Sequence, residues 1–210
     1  DGNFPNHHPD PSNPENLKDL IVNVIEHKAH LGIALDGDAD RLGVVDDQGN
    51  IIFPDQYMSL IANHILKNNL GRKIVFDVKC SSKLKESISK SKGIPIMTRT
   101  GHSFIKKEIL KQSAILGGEM SGHIFFNDDW YGFDDGIYSA LRLIEIIAES
   151  EDSSAKMFNK FPQPFNTPEI NLQTTDERKF EIIETLKTEF EFNDYEKVLI
   201  DGIRIENDES

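Results

Sequence analysis

Residues 51–162 alternate between two kinds of hydrophobic pattern, and this alternation constrains the fold more than any other feature of the sequence. Met58, Ile61 and Ile65 recur at helical spacing, whereas residues 73–78 and 94–97 form short apolar runs that are typical of buried strands. Helices alternate with strands in this way when they cover a largely parallel sheet. The pattern predicts an α/β fold, with a three-layer α/β/α domain built on a mixed sheet.

Polar residues and glycines mark the expected ends of these elements. Asp55 is expected to cap the helix that follows it, and Asp134 or Asp135 to cap the helix of residues 137–148, because Asp favours the N-cap position. Residues 104–110 are predicted to be helical. Residues 114–116 and 124–126 are predicted to be extended, with a glycine-containing loop between them.

The segments on either side of this domain have a different pattern of apolar residues. Residues 31–35 and 42–45 are apolar runs that enclose an acidic loop, and a helical pattern precedes them. Prolines mark a linker after the domain, and a further helix with apolar positions from Phe180 to Phe190 and a strand pair around Asp201 follow it. Because the chain begins at Asp1 in a proline-rich run, we expect it to be an internal piece of a longer protein.

Charge and cysteine content exclude several classes of function. The net charge is −13, which argues against nucleic acid, since phosphate backbones are held by clustered Lys and Arg. No apolar stretch approaches the roughly 20 residues of a membrane-spanning helix, so no membrane partner is expected. Cys80 is the only cysteine, so no internal disulfide can form, and a cytoplasmic location is expected.

The strongest chemical signal is the acidic loop, Asp36-Gly37-Asp38-Ala39-Asp40-Arg41. Three carboxylates at alternate positions would repel one another unless a cation lay between them. Oxygen ligands with positions left for water or phosphate suit Mg²⁺. Asp36, Asp38 and Asp40 are therefore candidate Mg²⁺ ligands, and Arg41 has a guanidinium suited to a nearby phosphate.

Three different kinds of structure could also produce an acidic loop of this composition. An EF-hand begins with alternate acids, but it needs glycine where Arg41 stands and helices on both sides. A phosphatase with an aspartyl nucleophile would need further Ser/Thr and Lys partners that the sequence does not place. A solvated acidic turn is the simplest alternative, although two apolar runs flank the loop closely. Residues 1–16 are expected to form a loop near the acidic one without binding metal.

Three more polar segments follow predicted strands. Glu119 and Ser121, within G-G-E-M-S-G-H, are two residues apart, so their side chains point the same way in an extended chain. Glu119 is a natural acceptor for sugar hydroxyls. His123 is a candidate for proton transfer. Lys79 and His102 follow the two preceding strands, where α/β sheets place ligand contacts. Taken alone, the segment of residues 117–123 favours a hairpin turn with a structural histidine, and Lys79 is equally consistent with a surface lysine.

Trp130, Tyr131 and Phe133 precede the predicted helix cap. Large aromatic side chains at such a position usually pack in the core. We expect core packing here in preference to a substrate platform.

Together these motifs resemble the α-D-phosphohexomutases, in the bacterial phosphomannomutase/phosphoglucomutase branch. D-G-D-A-D-R resembles their magnesium loop and G-E-M-S-G-H their sugar-specificity loop, and T-G-H-S and W-Y-G-F-D-D-G-I-Y-S-A resemble neighbouring segments. The resemblance implies that residues 1–50 end domain II, that 51–162 form domain III, that 163–166 are a linker, and that 167–210 open a small α+β domain IV. It also implies a monomer.

The resemblance implies a function and a set of site residues. The expected reaction interconverts hexose 6-phosphate and hexose 1-phosphate, of mannose or glucose, through a phosphoserine and a bisphosphorylated sugar. The serine loop of the family, of the T-A-S-H-N-P type, does not occur in this sequence, so the chain alone is expected to be inactive. Arg41 and His123 are the implied catalytic residues, and the implied substrate contacts are Lys79, His102, Glu119, Met120, Ser121, Gly122 and His123.

Two functions of other classes remain open on the sequence. One is a non-catalytic module that binds sugar phosphate and Mg²⁺. The other is a metal-dependent sugar-nucleotide transferase that uses a D-x-D motif, although no glycine-rich diphosphate cradle is evident.

Overall fold

The computed structural model describes residues 2–162, 170, 172–189 and 195–206, which fall into two units, residues 1–162 and 163–210. In the first unit the strands are β1 (Leu31–Leu35), β2 (Leu42–Asp46), β3 (Ile51–Ile52), β4 (Lys73–Asp77), β5 (Ile94–Thr98), β6 (Leu116–Gly118) and β7 (Ile124–Phe126). Its helices are α1 (Lys18–His27), α2 (Pro54–Leu66), α3 (Ser82–Lys90), α4 (His102–Gln112), α5 (Gly136–Ala148) and α6 (Ser154–Phe158).

The first unit contains two sheets. β1, β2 and β3 form an antiparallel sheet in that order, with Leu35 paired to Leu42 across the acidic loop. The second sheet has the order β5-β4-β6-β7, in which β5, β4 and β6 are parallel and β7 is antiparallel. The mixed sheet predicted from the sequence is confirmed.

Helices cover both faces of this mixed sheet. Val75 and Phe125 pack on one face with Ile105 and Ile109 of α4. The other face packs into the main core with residues of α2, α3 and α5, such as Met58, Leu84 and Leu143. This arrangement is the three-layer α/β/α domain expected from the alternating pattern.

The main core continues across residue 50. Leu42 and Val44 of β2 belong to the same buried cluster as Tyr57 and Ile61 of α2. One face of the antiparallel sheet is thus covered by helices that follow it in sequence, while Val45 on the other face packs with Val24 of α1. The division of this unit at residue 50 stays a prediction, since the packing itself shows no break there.

Two glycines expected in a loop belong instead to β6. A Cβ at Gly117 would lie 2.6 Å from Ile109 Cδ1 of α4, and a Cβ at Gly118 would lie 2.6 Å from Met58 Sδ of α2. Both positions therefore need glycine because helices press on the two faces of the strand. The strand accordingly lies later in the chain than the extended segment predicted at residues 114–116.

Several helix ends also differ from the predictions. Asp55 does not cap α2: it is the second residue of the helix, and its Oδ2 accepts from Ser81 N at 3.1 Å. The cap contact at this end runs from Phe53 N to Gln56 Oε1, at 2.9 Å. At α5 the cap is Asp135, which accepts from Tyr138 N at 2.8 Å. α4 begins at residue 102, two residues earlier than predicted.

The three aromatic residues before α5 are not all in the core. Trp130 stacks on Tyr138 with ring centroids 4.2 Å apart and packs against the main core. Tyr131 is 80% exposed and Phe133 is 42% exposed, and their rings are stacked on one another. The prediction of core packing is therefore right for Trp130 and wrong for the other two.

The second unit contains α7 (Asp176–Glu189) and a hairpin of β8 (Glu196–Val198) and β9 (Arg204–Glu206). α7 buries none of its residues. The predicted linker, residues 163–166, and the predicted helical position Phe190 lie outside the described residues. Among the described helices, none has the length and apolar character needed to cross a bilayer.

Candidate active site

The acidic loop closes the turn between β1 and β2. Ala39 adopts a left-handed conformation, with φ of 63°, and its N–H donates to Asp36 O at 3.3 Å. This conformation is costly for a residue with a Cβ, and here it folds the chain back between two aspartates. Carboxylate oxygens of Asp36, Asp38 and Asp40 consequently all lie within 4.8 Å of one another.

Arg41 balances only part of the negative charge of this loop. Its Nε donates to Asp36 Oδ2 at 2.7 Å, and the backbone N–H groups of Asp40 and Arg41 donate to Asp36 Oδ1 at 3.1 Å. Burial alone would raise the pKa of Asp36, but these contacts with Arg41 hold that pKa below its usual value. Arg41 Nη1 also lies 3.3 Å from Asp10 Oδ1, so the first loop of the chain does pack beside the acidic loop.

Asp40 carries the unbalanced charge. Its pKa is raised, first by burial and then by the neighbouring carboxylates of Asp36 and Asp38, and the opposing effect of His123 does not cancel this. A cation placed among the three carboxylates would relieve the repulsion. Their oxygens are ligands that hard divalent cations prefer, so the residues present fit a divalent metal ion.

The loop of residues 119–123, which we call the 119–123 loop, is a tight turn attached to β2. Glu119 N donates to His123 O, and Gly122 N donates to Glu119 O, both at 3.0 Å. Gly122 has a φ of 100°, and a Cβ there would lie 2.9 Å from Leu42 O. Leu42 N donates to Gly122 O at 3.1 Å, and Arg41 forms an isolated β-bridge with His123. The two loops are therefore joined by backbone contacts of Arg41 and Leu42 with Gly122 and His123, which we call the backbone seam.

His123 connects the two loops through its side chain. Its Nε2 lies 3.3 Å from Asp40 Oδ1, and its Nδ1 lies 3.1 Å from Glu119 Oε2 and 2.8 Å from Ser121 Oγ. Burial would lower the pKa of His123, but the hydrogen bond to Glu119 and the charges of Asp40, Glu119 and Asp134 raise it above its usual value. An imidazole can accept and release a proton near neutral pH, which makes His123 suited to proton transfer.

Asp77, at the end of β4, accepts hydrogen bonds from the loops that follow three neighbouring strands. Its carboxylate is fully buried and accepts from Met120 N, Thr100 Oγ1 and Cys80 Sγ, each at 3.1 Å. Burial raises the pKa of Asp77, although these hydrogen bonds oppose the rise. Carboxyl ends of parallel strands meet at one edge of a sheet, and Asp77 fixes the geometry of that edge.

The remaining candidate residues occupy different positions along this edge. The His102 ring stacks on His123, with centroids 5.9 Å apart and an interplanar angle of 23°. Lys79 is exposed, two residues beyond Asp77, whereas Met120 packs against the main core. Glu119 is only 2% exposed, and its Oε1 accepts from Gly101 N.

Three further acids border the site, and the sequence-based interpretation gave none of them a role in it. Asp77 ends a strand beside the polar segment 77–82, a position that could have indicated a structural acceptor. Asp134 has the sequence position of a helix cap, and the structure places it beside Lys106 and His102. No local pattern marks Asp10, which meets Arg41 from 31 residues away.

Comparison with known proteins identifies the family that the chain resembles. Residues 53–165 match the family model described as phosphoglucomutase/phosphomannomutase, alpha/beta/alpha domain III, and residues 1–49 match domain II of the same family. A phosphomannomutase/phosphoglucomutase of Pseudomonas syringae pv. tomato is 52% identical over 206 residues, and a phosphoglucomutase of Neisseria gonorrhoeae is 48% identical over 208. These alignments cover 98% of this chain and 44% and 45% of the relatives.

A solved structure gives the same result. A phosphoglucomutase/phosphomannomutase family protein from Burkholderia thailandensis superimposes with a TM-score of 0.92 at 46% identity, covering 99% of this chain and 44% of that one. The chain thus spans somewhat less than half the length of the relatives it matches. On the family models, the sequence identity and the shared fold, the chain belongs to the phosphoglucomutase/phosphomannomutase family.

Proposed function

We propose that this chain carries the metal-binding and sugar-binding loops of a phosphohexomutase, which interconverts hexose 6-phosphate and hexose 1-phosphate of mannose, glucose or both. The observation that supports it most is the seam between Leu42 and Gly122, which holds the acidic loop and the 119–123 loop side by side. A cation and a sugar hydroxyl bound to these loops would therefore be neighbours. The names of the relatives support the same reaction class.

In this proposal Asp36, Asp38 and Asp40 hold Mg²⁺. Their oxygens are hard ligands that lie within 4.8 Å of one another, and a divalent cation would balance the mutual repulsion of the three carboxylates. When bound, Mg²⁺ would supply positive charge that stabilises a phosphoryl group during transfer.

Arg41 is proposed to orient the phosphoryl group. Its Nε and Nη1 are used by Asp36 and Asp10, so among the described residues Nη2 remains available to a phosphate oxygen. The two aspartates hold the guanidinium in place before substrate binds. Preorganised charge of this kind accounts for much of the catalysis of phosphoryl transfer.

His123 is proposed to exchange a proton with the sugar hydroxyl. As the hydroxyl oxygen forms its bond to phosphorus, the bond between phosphorus and the phosphoserine oxygen breaks, and the hydroxyl proton passes to the neutral imidazole; in the reverse direction the same proton returns to the sugar oxygen. Glu119 and Ser121 converge on Nδ1 of His123, which leaves Nε2, beside Asp40, as the nitrogen nearer the metal loop. Glu119, Met120, Ser121 and Gly122 would form the wall against which the sugar binds.

Lys79 and His102 are proposed to contact the substrate from the neighbouring strand ends. The phosphoserine and the bisphosphorylated sugar of the proposed cycle require a serine loop that these 210 residues do not contain. We therefore propose that turnover needs a further segment carrying it. Residues 1–50, 51–162, 163–166 and 167–210 are proposed as the end of domain II, domain III, a linker and the start of domain IV, in a cytoplasmic monomer.

Calorimetry on this chain tests the binding part of the proposal. We expect Mg²⁺ to bind the chain and Asp38→Asn to weaken that binding at least tenfold. Glucose 1-phosphate and mannose 1-phosphate should bind weakly, and Ser121→Ala should reduce this further. Glu108→Gln, which changes an acid of α4 that pairs with Lys111, is the matched control and should leave both affinities unchanged. Equal Mg²⁺ affinity in Asp38→Asn would contradict the metal assignment.

A coupled assay for conversion of mannose 1-phosphate, with glucose 1,6-bisphosphate as activator, tests the reaction itself. We expect no turnover by the chain alone and turnover when the segment with the serine loop is present. Turnover by the chain alone that disappears in Ser121→Ala would show that the nucleophile lies within these residues and would overturn the proposal.

A further inference from the structure

Asp134 lies outside the residues assigned to the site, yet its carboxylate borders the histidine pair. Its side chain is only 8% exposed, and its backbone forms an isolated β-bridge with Phe125 of β7. Oδ1 lies 2.7 Å from Lys106 Nζ, and Oδ2 lies 3.5 Å from His102 Nδ1. One buried carboxylate thus meets two side chains of α4.

The spacing of these two side chains accounts for the arrangement. His102 and Lys106 are four residues apart on α4, so they lie on the same face of the helix. The His102 side chain is 59% exposed, which means that packing restrains its ring only weakly. Among the described residues, Asp134 is the acid that contacts this ring.

The segment that bears Asp134 is also fixed to the acidic loop. Gly136 N donates to Ala39 O at 2.9 Å. Ligand atoms of Asp40, His123 and Asp134 lie within 4.8 Å of one another. Asp134 is consequently placed with respect to the acidic loop, the 119–123 loop and α4 at once.

Two simpler roles, a metal ligand and a stabilising ion pair, do not explain the contacts of Asp134. As a metal ligand beside Asp40 and His123 it would need its charge free for the ion, but Lys106 already supplies a cation at 2.7 Å. As a purely stabilising ion pair it would resemble Asp128, which lies on the same segment, is 11% exposed and pairs with Arg142 at 2.8 Å. Asp128 has no described contact with either histidine, so it provides the comparison.

We propose that Asp134 is a positioning residue for substrate binding: fixed by Lys106, it holds the ring of His102 beside His123 at the edge of the site. The proposal rests on the proposed function, in which both histidines meet the sugar phosphate. It assigns to Asp134 no contact with substrate of its own.

The ring geometry can be measured on this chain without any turnover. With labelled histidines, we expect a nuclear Overhauser effect between the rings of His102 and His123. Asp134→Ala should abolish it, and Asp128→Ala should leave it intact. Asp134→Asn, which keeps the shape of the side chain, should weaken the effect and serves if the alanine variant does not fold. An unchanged effect in a folded Asp134 variant would overturn the proposal, whatever the reaction proves to be.

Turnover in the full-length protein tests the consequence for binding. Asp134→Asn and Asp128→Asn should lower the thermal midpoint by similar amounts. Only Asp134→Asn should raise KM for hexose phosphate, by about tenfold, with kcat changed less than about threefold, because the loss concerns a binding contact. Equal KM in the two variants would show that Asp134 merely stabilises the fold. A wild-type protein without hexose phosphate turnover would instead contradict the proposed function and leave the ring measurement to decide on Asp134.

Discussion

Gly136, the first residue of α5, presses directly on the acidic loop, and replacing it with alanine should disturb that loop from outside. An added Cβ would lie 2.8 Å from Ala39 O, 3.0 Å from Arg41 O and 3.0 Å from Leu35 Cδ2. The two carbonyl oxygens belong to the backbone of the loop and cannot turn away as a side chain would. Relief requires α5 and the loop to separate, which strains the hydrogen bond from Gly136 N to Ala39 O.

Two opposing effects set the magnitude. Alanine is favoured over glycine inside a helix by about 1 kcal/mol, and by less at the first position. Forcing extra volume into a packed site usually costs about 1–3 kcal/mol. The steric effect should win, with a net loss of about 1–2 kcal/mol. For a chain of this size that corresponds to a thermal midpoint lowered by roughly 2–8 °C.

Thermal denaturation followed by circular dichroism, together with calorimetry of Mg²⁺ binding, would measure the effect. Gly37→Ala is the matched control: it lies within the acidic loop, but its Cβ would meet nothing closer than Pro9 Cγ at 3.5 Å. We expect Gly136→Ala to lose both stability and Mg²⁺ affinity, and Gly37→Ala to keep its stability. A Gly136→Ala variant as stable as the wild type would refute the reasoning, since helix propensity would then outweigh the contact with the loop.

Three further predictions concern other contacts of the first unit. Tyr57→Phe should destabilise it by about 1–3 kcal/mol, because the buried Tyr57 hydroxyl donates to Leu42 O at 2.8 Å; urea denaturation would show this, with the exposed Tyr131→Phe as control. Ser154→Ala should also lower the denaturation midpoint, because Ser154 Oγ is bonded to His30 O and Asp47 Oδ1, and a midpoint equal to that of the wild type would contradict it. Burial alone would raise the pKa of Asp47, but hydrogen bonds from Ala155 N and Ser154 lower it, so its contribution is present above pH ~4 and is lost as pH falls through the lowered pKa. The difference in thermal midpoint between wild type and Asp47→Asn should therefore shrink on acidification, and a difference that grows would contradict the sign.

Local patterns are sufficient to predict much of the fold and the acidic loop. The helical spacing of Met58, Ile61 and Ile65 and the apolar runs of the strands depend on near neighbours, so they survive into the structure. The alternate carboxylates of the acidic loop are likewise a local feature, and their convergence follows from a short turn between two paired strands. For these parts the sequence already contains the physical cause.

Where the structure departs from the sequence-based expectations, the causes are distant in sequence. Glycine usually interrupts strands, which favours a loop at Gly117 and Gly118, whereas here helices from both faces require a small residue in β6. Asp134 has the local pattern of a helix cap. Its partners Lys106 and His102 come earlier in the chain, too far away for a local pattern to reveal the contact. Asp55 also stands where a cap is expected, but a backbone N–H 26 residues later takes its carboxylate.

The backbone seam at Leu42 has a consequence for motion. Leu42 donates its N–H to Gly122 O and accepts a hydrogen bond from Tyr57 at its own carbonyl, and its side chain is buried. The acidic loop and the 119–123 loop are thus attached to the same residue of a core strand. Neither can shift by more than small amounts without breaking buried hydrogen bonds. Under the proposed function, both ends of a hexose bisphosphate meet the same site in turn, so the sugar would rotate over two loops that keep their positions, and the motion that allows this would lie outside them.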